Sequence, residues 1–375
     1  MLMFKRIVLI TFIFSALMLT GCTEDKTVST SELPDVIRLG YVGPLTGAAA
    51  AYGQDIKAGI DLYFSEHPTI GDKPVEVIYE DGKCNGADAA VAAQKLITVD
   101  KVRFIFGGGC SGETLSMAPI AEENKVVTIS SGSSSPEVTT AGDYIFRDYP
   151  SDSKVAQDMA AYIASHDRKK VALLTEQTDF AQGYRMMIKD SMTAYAELEL
   201  VADEAYGVDN ADFRTLLTKA KQQEANALIS IGQSPSTNGF VVKQAKELGL
   251  DVQIYGPDTL SGQEFFDIAK DAGEGVIQFM VVPDPTQPGY AEKISKLPEA
   301  QGASIFQLLG YDAAGMAALA IEHVGYDATA IKDYWYDMPI YKGIGGDHKF
   351  DENGDDTTKI GMRIAKDGEF VMTEE

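Results

Sequence analysis

Short apolar segments alternate with amphipathic segments along the first part of the chain. The strand-like segments are residues 36–42, 75–81, 102–109 and 125–130. Between them apolar residues recur at helical spacing, as Ile56 and Ile60 do, which predicts helices packed on a sheet. Strands separated by helices in this way form parallel sheets with right-handed crossovers. The pattern therefore predicts a doubly wound α/β lobe.

The same rhythm restarts in the second part. Its predicted strands are residues 170–176, 198–206, 227–232, 252–256 and 275–282, and its predicted helices start near Ala181, Phe213, Asn238 and Glu264. Two long helical patterns follow, at 304–324 and 329–338, and the tail at 349–371 has the alternation of antiparallel strands with tight turns. We predict an α/β protein with two doubly wound parallel-sheet lobes.

The N-terminus has the layout of a secretory signal. A basic pair, Lys5 and Arg6, precedes an apolar run at residues 7–19, which is shorter than the about 20 residues of a spanning helix. The following Leu-Thr-Gly-Cys resembles the lipobox of bacterial lipoproteins. The resemblance implies that residues 1–21 are removed and that Cys22 carries a lipid. An ordinary N-terminal anchor with a chance cysteine is the alternative.

Composition narrows the possibilities for the mature chain. Residues 22–34 are polar and predict a tether, and the remaining length favours two lobes over one core. Loss of the signal takes the net charge from −24 to −26, which argues against nucleic acid as a partner. In an exported protein, the pair Cys84 and Cys110 predicts a disulfide, with two buried free thiols as the alternative.

Two polar loops directly follow predicted strands of the first lobe. One is the Gly-rich segment 107–112, and the other is the serine-rich segment 128–139, whose composition alone would favour a flexible linker. Because the carboxyl ends of parallel strands share one edge of a sheet, we expect both loops to line one pocket. Ser111 stands where a helix N-cap belongs, and together with Ser134 it would suit a carboxylate. Asp258 follows a strand of the second lobe and could face these serines across a cleft. An acid opposite an anion site favours a zwitterionic ligand.

Enzyme and cofactor motifs fit poorly. Residues 107–112 satisfy G-x-G-x-x-G, but they follow a third strand, and the next strand ends in Ser130 where a dinucleotide site needs an acid. Glu113 replaces the last glycine of G-x-S-x-G. The four histidines lack metal-site spacing, and a calcium loop at residues 351–362 would end in Met362 where glutamate is required. We predict no enzyme, cofactor or metal.

Seven segments in order carry a family resemblance. They are GPLTGAAAAYGQD, YEDGKCNG, GGGCSGET, SSGSSSPEVT, DFAQGY, YGPDTL and GYDAAG. From Val36 onward the chain resembles the leucine/isoleucine/valine-binding proteins, the type I periplasmic solute-binding proteins of ABC importers. The resemblance implies two lobes, 35–149 with 283–344 and 150–282 with 345–375, joined by a three-strand hinge.

The resemblance also implies roles for individual residues. Ser111 and Ser134 would hold a ligand carboxylate, while the Gly132 carbonyl and Asp258 would take the ammonium group. The cleft would be walled by Tyr52, Tyr311 and Phe180. Phe180 replaces the tyrosine usual in the family, and a second aromatic of the second lobe is replaced around Gln233 and Ser234, so the pocket wall is more polar. The family's disulfide matches Cys84 and Cys110.

The function implied is capture of an amino acid, branched-chain or similar, for an ABC permease and its ATPase. The protein would be an extracytoplasmic monomer that reaches the membrane through its lipid anchor or lies in the periplasm. The alternatives are a ligand sensor of the same fold that is not coupled to transport, and an exported hydrolase that uses Ser111.

Overall fold

A computed structural model describes residues 33–208, 210–300, 304–356 and 360–373. The predicted signal, the lipid-bearing Cys22 and the tether up to residue 32 lie outside these ranges. Within the described ranges, no helix combines the length and the apolar character that a bilayer-spanning segment requires.

The first lobe is built on a six-stranded sheet. Its strands are β1 (Ile37–Gly43), β2 (Thr69–Ile70), β3 (Lys73–Asp81), β4 (Phe104–Phe106), β5 (Val127–Ser130) and β6 (Ile145–Arg147), in the order β2-β3-β1-β4-β5-β6. All neighbours are parallel except β2 and β3. The crossovers contain α1 (Ala50–Glu66), α2 (Gly86–Thr98) and α3 (Ser111–Asn124).

The second lobe repeats the plan. Its strands are β7 (Lys170–Glu176), β8 (Glu199–Tyr206), β9 (Ala227–Ile231), β10 (Gln253–Gly256) and β11 (Ile277–Val281), and its helices are α4 (Asp152–Ser165), α5 (Asp179–Met192), α6 (Arg214–Gln222), α7 (Pro235–Glu247) and α8 (Gln263–Ala269). Two antiparallel strands, β14 (Ile360–Lys366) and β15 (Glu369–Met372), complete the sheet, in the order β15-β14-β11-β10-β9-β7-β8. The predicted α/β class with two doubly wound lobes is confirmed.

The segment between β11 and β14 returns to the first lobe. It contains α9 (Tyr290–Lys296), α10 (Ser304–Val324), α11 (Ala328–Asp337) and the short pair β12 (Tyr341–Lys342) and β13 (Asp347–His348). Helix α10 packs so closely on α1 that a Cβ at Gly59 would lie 1.9 Å from the Gln307 carbonyl oxygen. Only glycine allows this approach. The chain passes between the lobes three times, after β6, after β11 and before β14, as predicted for the hinge.

The buried strands explain why the sequence pattern was informative. Every residue of β5 and of β9 is buried, because helices cover both faces of each parallel sheet. Trp335 of α11 closes the first lobe's core by packing edge-on against Phe104 and Phe146. Strand β6 was not predicted, because it is only three residues long and ends in Arg147, a charge that is buried through partners distant in sequence.

A buried ionic cluster joins the segments that cross between the lobes. The ring of His348 contacts Asp356 at 2.6 Å and Asp312 at 3.1 Å. Burial alone would lower the pKa of His348, but these two carboxylates raise it well above its ordinary value. Burial raises the pKa of the neighbouring Asp148 to about 8. The cluster holds a charged histidine inside the protein because carboxylates surround it.

Candidate functional site

One small cavity between the lobes gathers most of the predicted ligand-binding residues. Its volume is about 20 Å³. The predicted residues that line it are Tyr52, Ser111, Gly132, Ser134, Phe180 and Asp258. Gln233, which was predicted to belong to the pocket wall, also lines it, and so do Gly109, Cys110, Thr259 and Phe306, which were not predicted to bind. An amino acid needs more room than this, so the lobes have to separate to admit one.

The two loops of the first lobe meet at the cavity. This was predicted because both loops follow the carboxyl ends of parallel strands. The Ser135 backbone N–H donates a 3.1 Å hydrogen bond to Ser111 Oγ, which joins the start of α3 to the serine-rich loop. Ser111 is the first residue of α3, and the N-cap is Cys110, which corrects the expectation that Ser111 caps the helix. The unpaired N–H groups of this helix end still favour an anion.

The serine-rich loop is held by hydrogen bonds and is not a flexible linker. Ser130 Oγ and Ser133 Oγ both donate to the Gly108 carbonyl, at 2.5 and 3.0 Å. Gly132 approaches the other loop so closely that a Cβ there would lie 2.5 Å from the Gly109 carbonyl oxygen. The loop geometry therefore depends on a residue without a side chain at position 132.

Arg147 supports the loop from behind. Its Nη1 donates to the Ser133 and Ser135 carbonyls at 3.2 and 2.9 Å. Its Nε and Nη2 form a two-pronged ion pair with Asp355, both at 2.7 Å. The guanidinium is fully buried, and this fork geometry is one that only arginine provides.

Asp258 reaches the cavity from the second lobe. It is 7% exposed, and the Tyr149 hydroxyl donates to its Oδ2 at 2.9 Å. Burial raises the pKa of Asp258 to about 6, although the hydrogen bond from Tyr149 opposes the rise. The carboxylate is therefore ionised at neutral pH at an electrostatic cost, which a cation bound beside it would reduce.

A second buried acid lies close to Asp258. Asp152, the first residue of α4, is 2% exposed, and its Oδ2 has no hydrogen-bond partner in the described part of the chain. Burial, followed by the charge of Asp258, raises its pKa well above the ordinary value, while a hydrogen bond with Ser134 opposes the rise. Sequence reasoning missed Asp152, because an acid at a helix start is usually only a cap. Burial and the charge of Asp258 thus disfavour a second ionised carboxylate beside Asp258.

Contacts across the cavity join the lobes. The Tyr52 hydroxyl donates to the Thr259 carbonyl at 3.2 Å. Gln233 comes from the second lobe, and its Nε2 lies 4.0 Å from Cys110 Sγ, a weak contact to sulfur. Phe180 contributes only an apolar ring to the wall. The second lobe thus presents an amide and an aromatic ring where a ligand side chain would lie.

Tyr311 does not line the cavity, which corrects its predicted place in the cleft. Its hydroxyl donates to Glu66 at 2.8 Å, on the side of α10 that faces α1. Phe306 of the same helix lines the cavity and stacks on Tyr149, with ring centroids 5.6 Å apart. Five residues along a helix turn the side chain by about 140° around the axis. The motif located the helix but not the residue that faces the cavity.

The disulfide between Cys84 and Cys110 is present, as predicted, with a Cα separation of 5.4 Å. Glu113 reinforces it, since its carboxylate accepts the Cys84 and Cys110 backbone N–H groups at 2.8 and 2.9 Å. Burial raises the pKa of Glu113 to about 7, although these hydrogen bonds oppose the rise. The bridge fixes the start of α3, which carries Ser111.

Two α/β lobes that enclose a polar cavity and share a three-segment hinge define a class of proteins, the two-lobed solute receptors. The chain belongs to the periplasmic binding protein family, whose profile matches residues 36–366. This family is made of extracytoplasmic solute-binding proteins.

Individual relatives narrow the family to the leucine/isoleucine/valine-binding group. A leucine-, isoleucine-, valine-, threonine- and alanine-binding protein of Pseudomonas aeruginosa is 28% identical over 92% of each chain. A leucine-binding protein of Thermotoga maritima is 26% identical and superposes with a TM-score of 0.84 over 90% of this chain and 97% of its own. An ABC-transporter solute-binding protein of R. palustris in complex with 4-hydroxybenzoate has the same fold, with 22% identity, a TM-score of 0.82, and coverage of 91% of this chain and 96% of its own.

Proposed function

We propose that the protein captures a free α-amino acid between its lobes and delivers it to an ABC importer. The observation that carries the proposal is the distribution of charge around one cavity. Ser111, Ser134 and the start of α3 offer hydrogen-bond donors on the first lobe, and the buried carboxylate of Asp258 lies on the second. A carboxylate and an ammonium on the same small molecule would satisfy both sides.

The head group would bind as follows. The Ser111 and Ser134 hydroxyls and N–H groups of the first lobe would donate to the ligand carboxylate. The ammonium would donate to Asp258 and to the Gly132 carbonyl, with Tyr52 closing the wall. Because the ligand contacts both lobes, it favours the conformation in which they are together. The permease would recognise that conformation.

The ligand side chain would meet Gln233, Phe180 and Phe306, which line the rest of the cavity. Two of these side chains are aromatic rings and the third is an amide, so the wall is apolar except at Gln233. We therefore place the ligand among small or branched amino acids, a group that includes the five bound by the Pseudomonas aeruginosa relative. Cys22 would anchor the protein by its lipid to the membrane that holds the importer.

Calorimetric titration of the mature protein with each of the twenty amino acids and with benzoates tests the proposal. We expect binding of one or a few amino acids and none of benzoates, because the buried carboxylate of Asp258 disfavours a ligand without a cation. Asp258→Asn should weaken amino-acid binding at least about a hundredfold, since a buried ammonium would lose its charged partner. Asp267→Asn, on the exposed side of α8, is the matched control.

Binding of a benzoate with unchanged affinity in Asp258→Asn would show that the site recognises a carboxylate alone. Equal amino-acid affinity in Asp258→Asn and in the control would remove the zwitterion site. Circular dichroism of both variants should match the parent protein, because the substitution keeps the size of the side chain.

A further inference from the structure

A basic groove lies at the far end of the first lobe from the cavity. It has a volume of about 590 Å³ and is lined by Arg38, Lys101, Arg103 and Lys125. Arg38 lies at the start of β1, and the other three lie just before β4 or β5. These are the amino ends of the strands, whereas the ligand cavity lies at their carboxyl ends. Anything bound in the basic groove leaves the cavity unobstructed.

Most of the positive charge in the basic groove is not neutralised by neighbours. Arg38 pairs with Glu76 at 3.0 Å. In the described part of the chain, no carboxylate lies within ion-pair distance of Lys101, Arg103 or Lys125. All three are exposed. The chain as a whole carries a net charge of −24, so the local surplus of positive charge in the basic groove contrasts with the acidic composition of the rest of the protein.

The two acids of the groove are already engaged. Asp100 contacts Lys95 at 3.2 Å, and Asp327 accepts the Ala330 N–H at 2.9 Å as the N-cap of α11. Their charges reduce the positive potential of the groove without pairing with its three free cations. An anion that enters the groove would therefore find cations that no acid in the described chain already holds.

The groove is preformed. The Tyr326 hydroxyl in its wall accepts the Arg103 N–H at 3.0 Å and donates to the Arg38 carbonyl. This tyrosine ties the two arginine-bearing strand ends together. The positions of the arginine backbones are thus fixed before any ligand arrives, which reduces the ordering cost of binding.

The groove also lies where the tether enters the lobe. Pro34 and Val36 line it, and Pro34 is twelve residues after Cys22. Twelve extended residues reach at most about 40 Å. If Cys22 carries a lipid, as proposed above, the basic groove is the part of the lobe kept closest to the bilayer, at a high effective concentration of headgroups.

We propose that the basic groove binds the anionic phosphate headgroups of the membrane to which the tether leads. The rest of the acidic surface is repelled by such a membrane, so contact through the groove would also orient the molecule. Each basic residue near an anionic surface raises partitioning about fivefold, and three raise it about a hundredfold. The inference rests on the anchoring part of the proposed function, not on the identity of the amino acid.

The test attaches the mature chain, residues 22–375, to vesicles through its one free thiol. Cys84 and Cys110 form a disulfide, so a maleimide lipid couples only to Cys22, and the result does not depend on natural acylation. Lysine acetylation is then read by mass spectrometry. In vesicles with anionic phosphatidylglycerol we expect Lys101 and Lys125 to be labelled several-fold more slowly than in phosphatidylcholine vesicles, with the protection lost at high salt.

Two triple variants complete the design. Lys101→Glu/Arg103→Glu/Lys125→Glu removes three attractions and adds three repulsions, so it should shift the protein's partitioning away from anionic vesicles by at least about a hundredfold, as measured with the uncoupled chain at low salt. Lys243→Glu/Lys246→Glu/Lys270→Glu, in the second lobe, changes the net charge equally and should have a small effect. Calorimetry with the amino-acid ligand should be unchanged in both variants, which separates this proposal from the proposed function.

Equal labelling of Lys101 and Lys125 in the two kinds of vesicle would overturn the proposal. Protection by millimolar inorganic phosphate in phosphatidylcholine vesicles, as strong as that by anionic lipid, would also overturn it and would identify a free-anion site. Equal loss of partitioning in the two triple variants would show that only net charge matters.

Discussion

Asp258 is the residue whose environment bears most directly on the proposed amino-acid binding. It is buried beside a second acid, Asp152, and its charge is maintained at neutral pH despite a raised pKa. Tyr149 donates one hydrogen bond to it, which stabilises the ionised form. A ligand ammonium would supply the missing positive charge, so binding and ionisation of Asp258 are linked.

The linkage predicts a pH dependence of affinity. Burial raises the pKa of Asp258 to about 6 in the protein, and in the proposed complex the ligand ammonium pairs with the ionised form. Affinity should be full above this pKa and should fall by about tenfold per pH unit below it. Titration calorimetry between pH 4.5 and 8 should show the fall. Asp258→Asn should give a flat profile, and a profile as steep as the parent's in that variant would contradict the assignment.

We expect substitution of Gln233 to affect different ligands to different extents, because its amide is the polar group on the wall where the ligand side chain is proposed to lie. We expect Gln233→Leu to increase the preference for leucine over threonine by about tenfold, since an apolar wall no longer leaves an amide unpaired beside an apolar ligand. The ratio of the two dissociation constants measures the change. An unchanged ratio would show that Gln233 does not contact the ligand side chain.

At the scale of elements, the serine-rich loop depends on a buried arginine from the strand that follows it. Arg147 joins the loop carbonyls to Asp355, which lies on the segment that leads to β14. The Arg147 side chain therefore connects the serine-rich loop to the segment that crosses between the lobes before β14. We therefore expect Arg147 to influence binding through the loop, although it does not line the cavity.

Arg147→Lys should therefore affect both stability and affinity. A lysine cannot reproduce the two-pronged contact with Asp355 and the bonds to two carbonyls. We expect the free energy of unfolding to fall by about 3 kcal/mol, with weaker amino-acid binding, as measured by urea unfolding and calorimetry. Arg38→Lys, in the exposed pair with Glu76, is the control and should change stability by less than about 1 kcal/mol.

A loss of stability no greater in Arg147→Lys than in Arg38→Lys would show that the buried pair contributes little. A loss of stability with unchanged affinity would show that the loop keeps its geometry without the arginine.

The elements themselves were largely predictable, and the reason is burial. Strands such as β5 and β9 are covered on both faces, so their sequences are continuous apolar runs. Strand β6 and helix α9 lacked such a signal, because they are short and α9 has no buried residue. The site was predictable where a loop follows a strand end, as at Ser111 and Ser134. It was not predictable at Phe306. The motif places Tyr311 on α10, but only the packing of that helix decides that Phe306, five residues earlier, faces the cavity.

At the scale of the molecule, closure brings α5 of the second lobe against the serine-rich loop of the first. A Cβ at Gly183 of α5 would lie 2.7 Å from Ser135 Oγ and 3.1 Å from Pro136 Cδ. The absence of a side chain at this position thus allows the lobes to approach each other. The hinge provides the freedom for them to separate.

Gly183→Ala should separate closure from folding. Alanine stabilises a helix interior by about 0.5–1 kcal/mol relative to glycine, so the melting temperature should stay equal or rise. The added methyl group opposes the closed conformation, so amino-acid affinity should fall about tenfold. Gly207→Ala, where a Cβ would meet nothing within 4 Å, should leave affinity unchanged. Equal affinities in the two variants would show that the lobes tolerate the methyl group.

The interleaved order of the lobes has a consequence for biosynthesis. Helix α1 buries its face against α10, which is made more than two hundred residues later, and the second sheet is completed by β14 and β15 at the end of the chain. Neither half can close its core early in synthesis, because the contacts that close each core join segments far apart in the sequence. Such a chain stays loose until it is nearly complete, which suits passage through a narrow translocation channel before it folds.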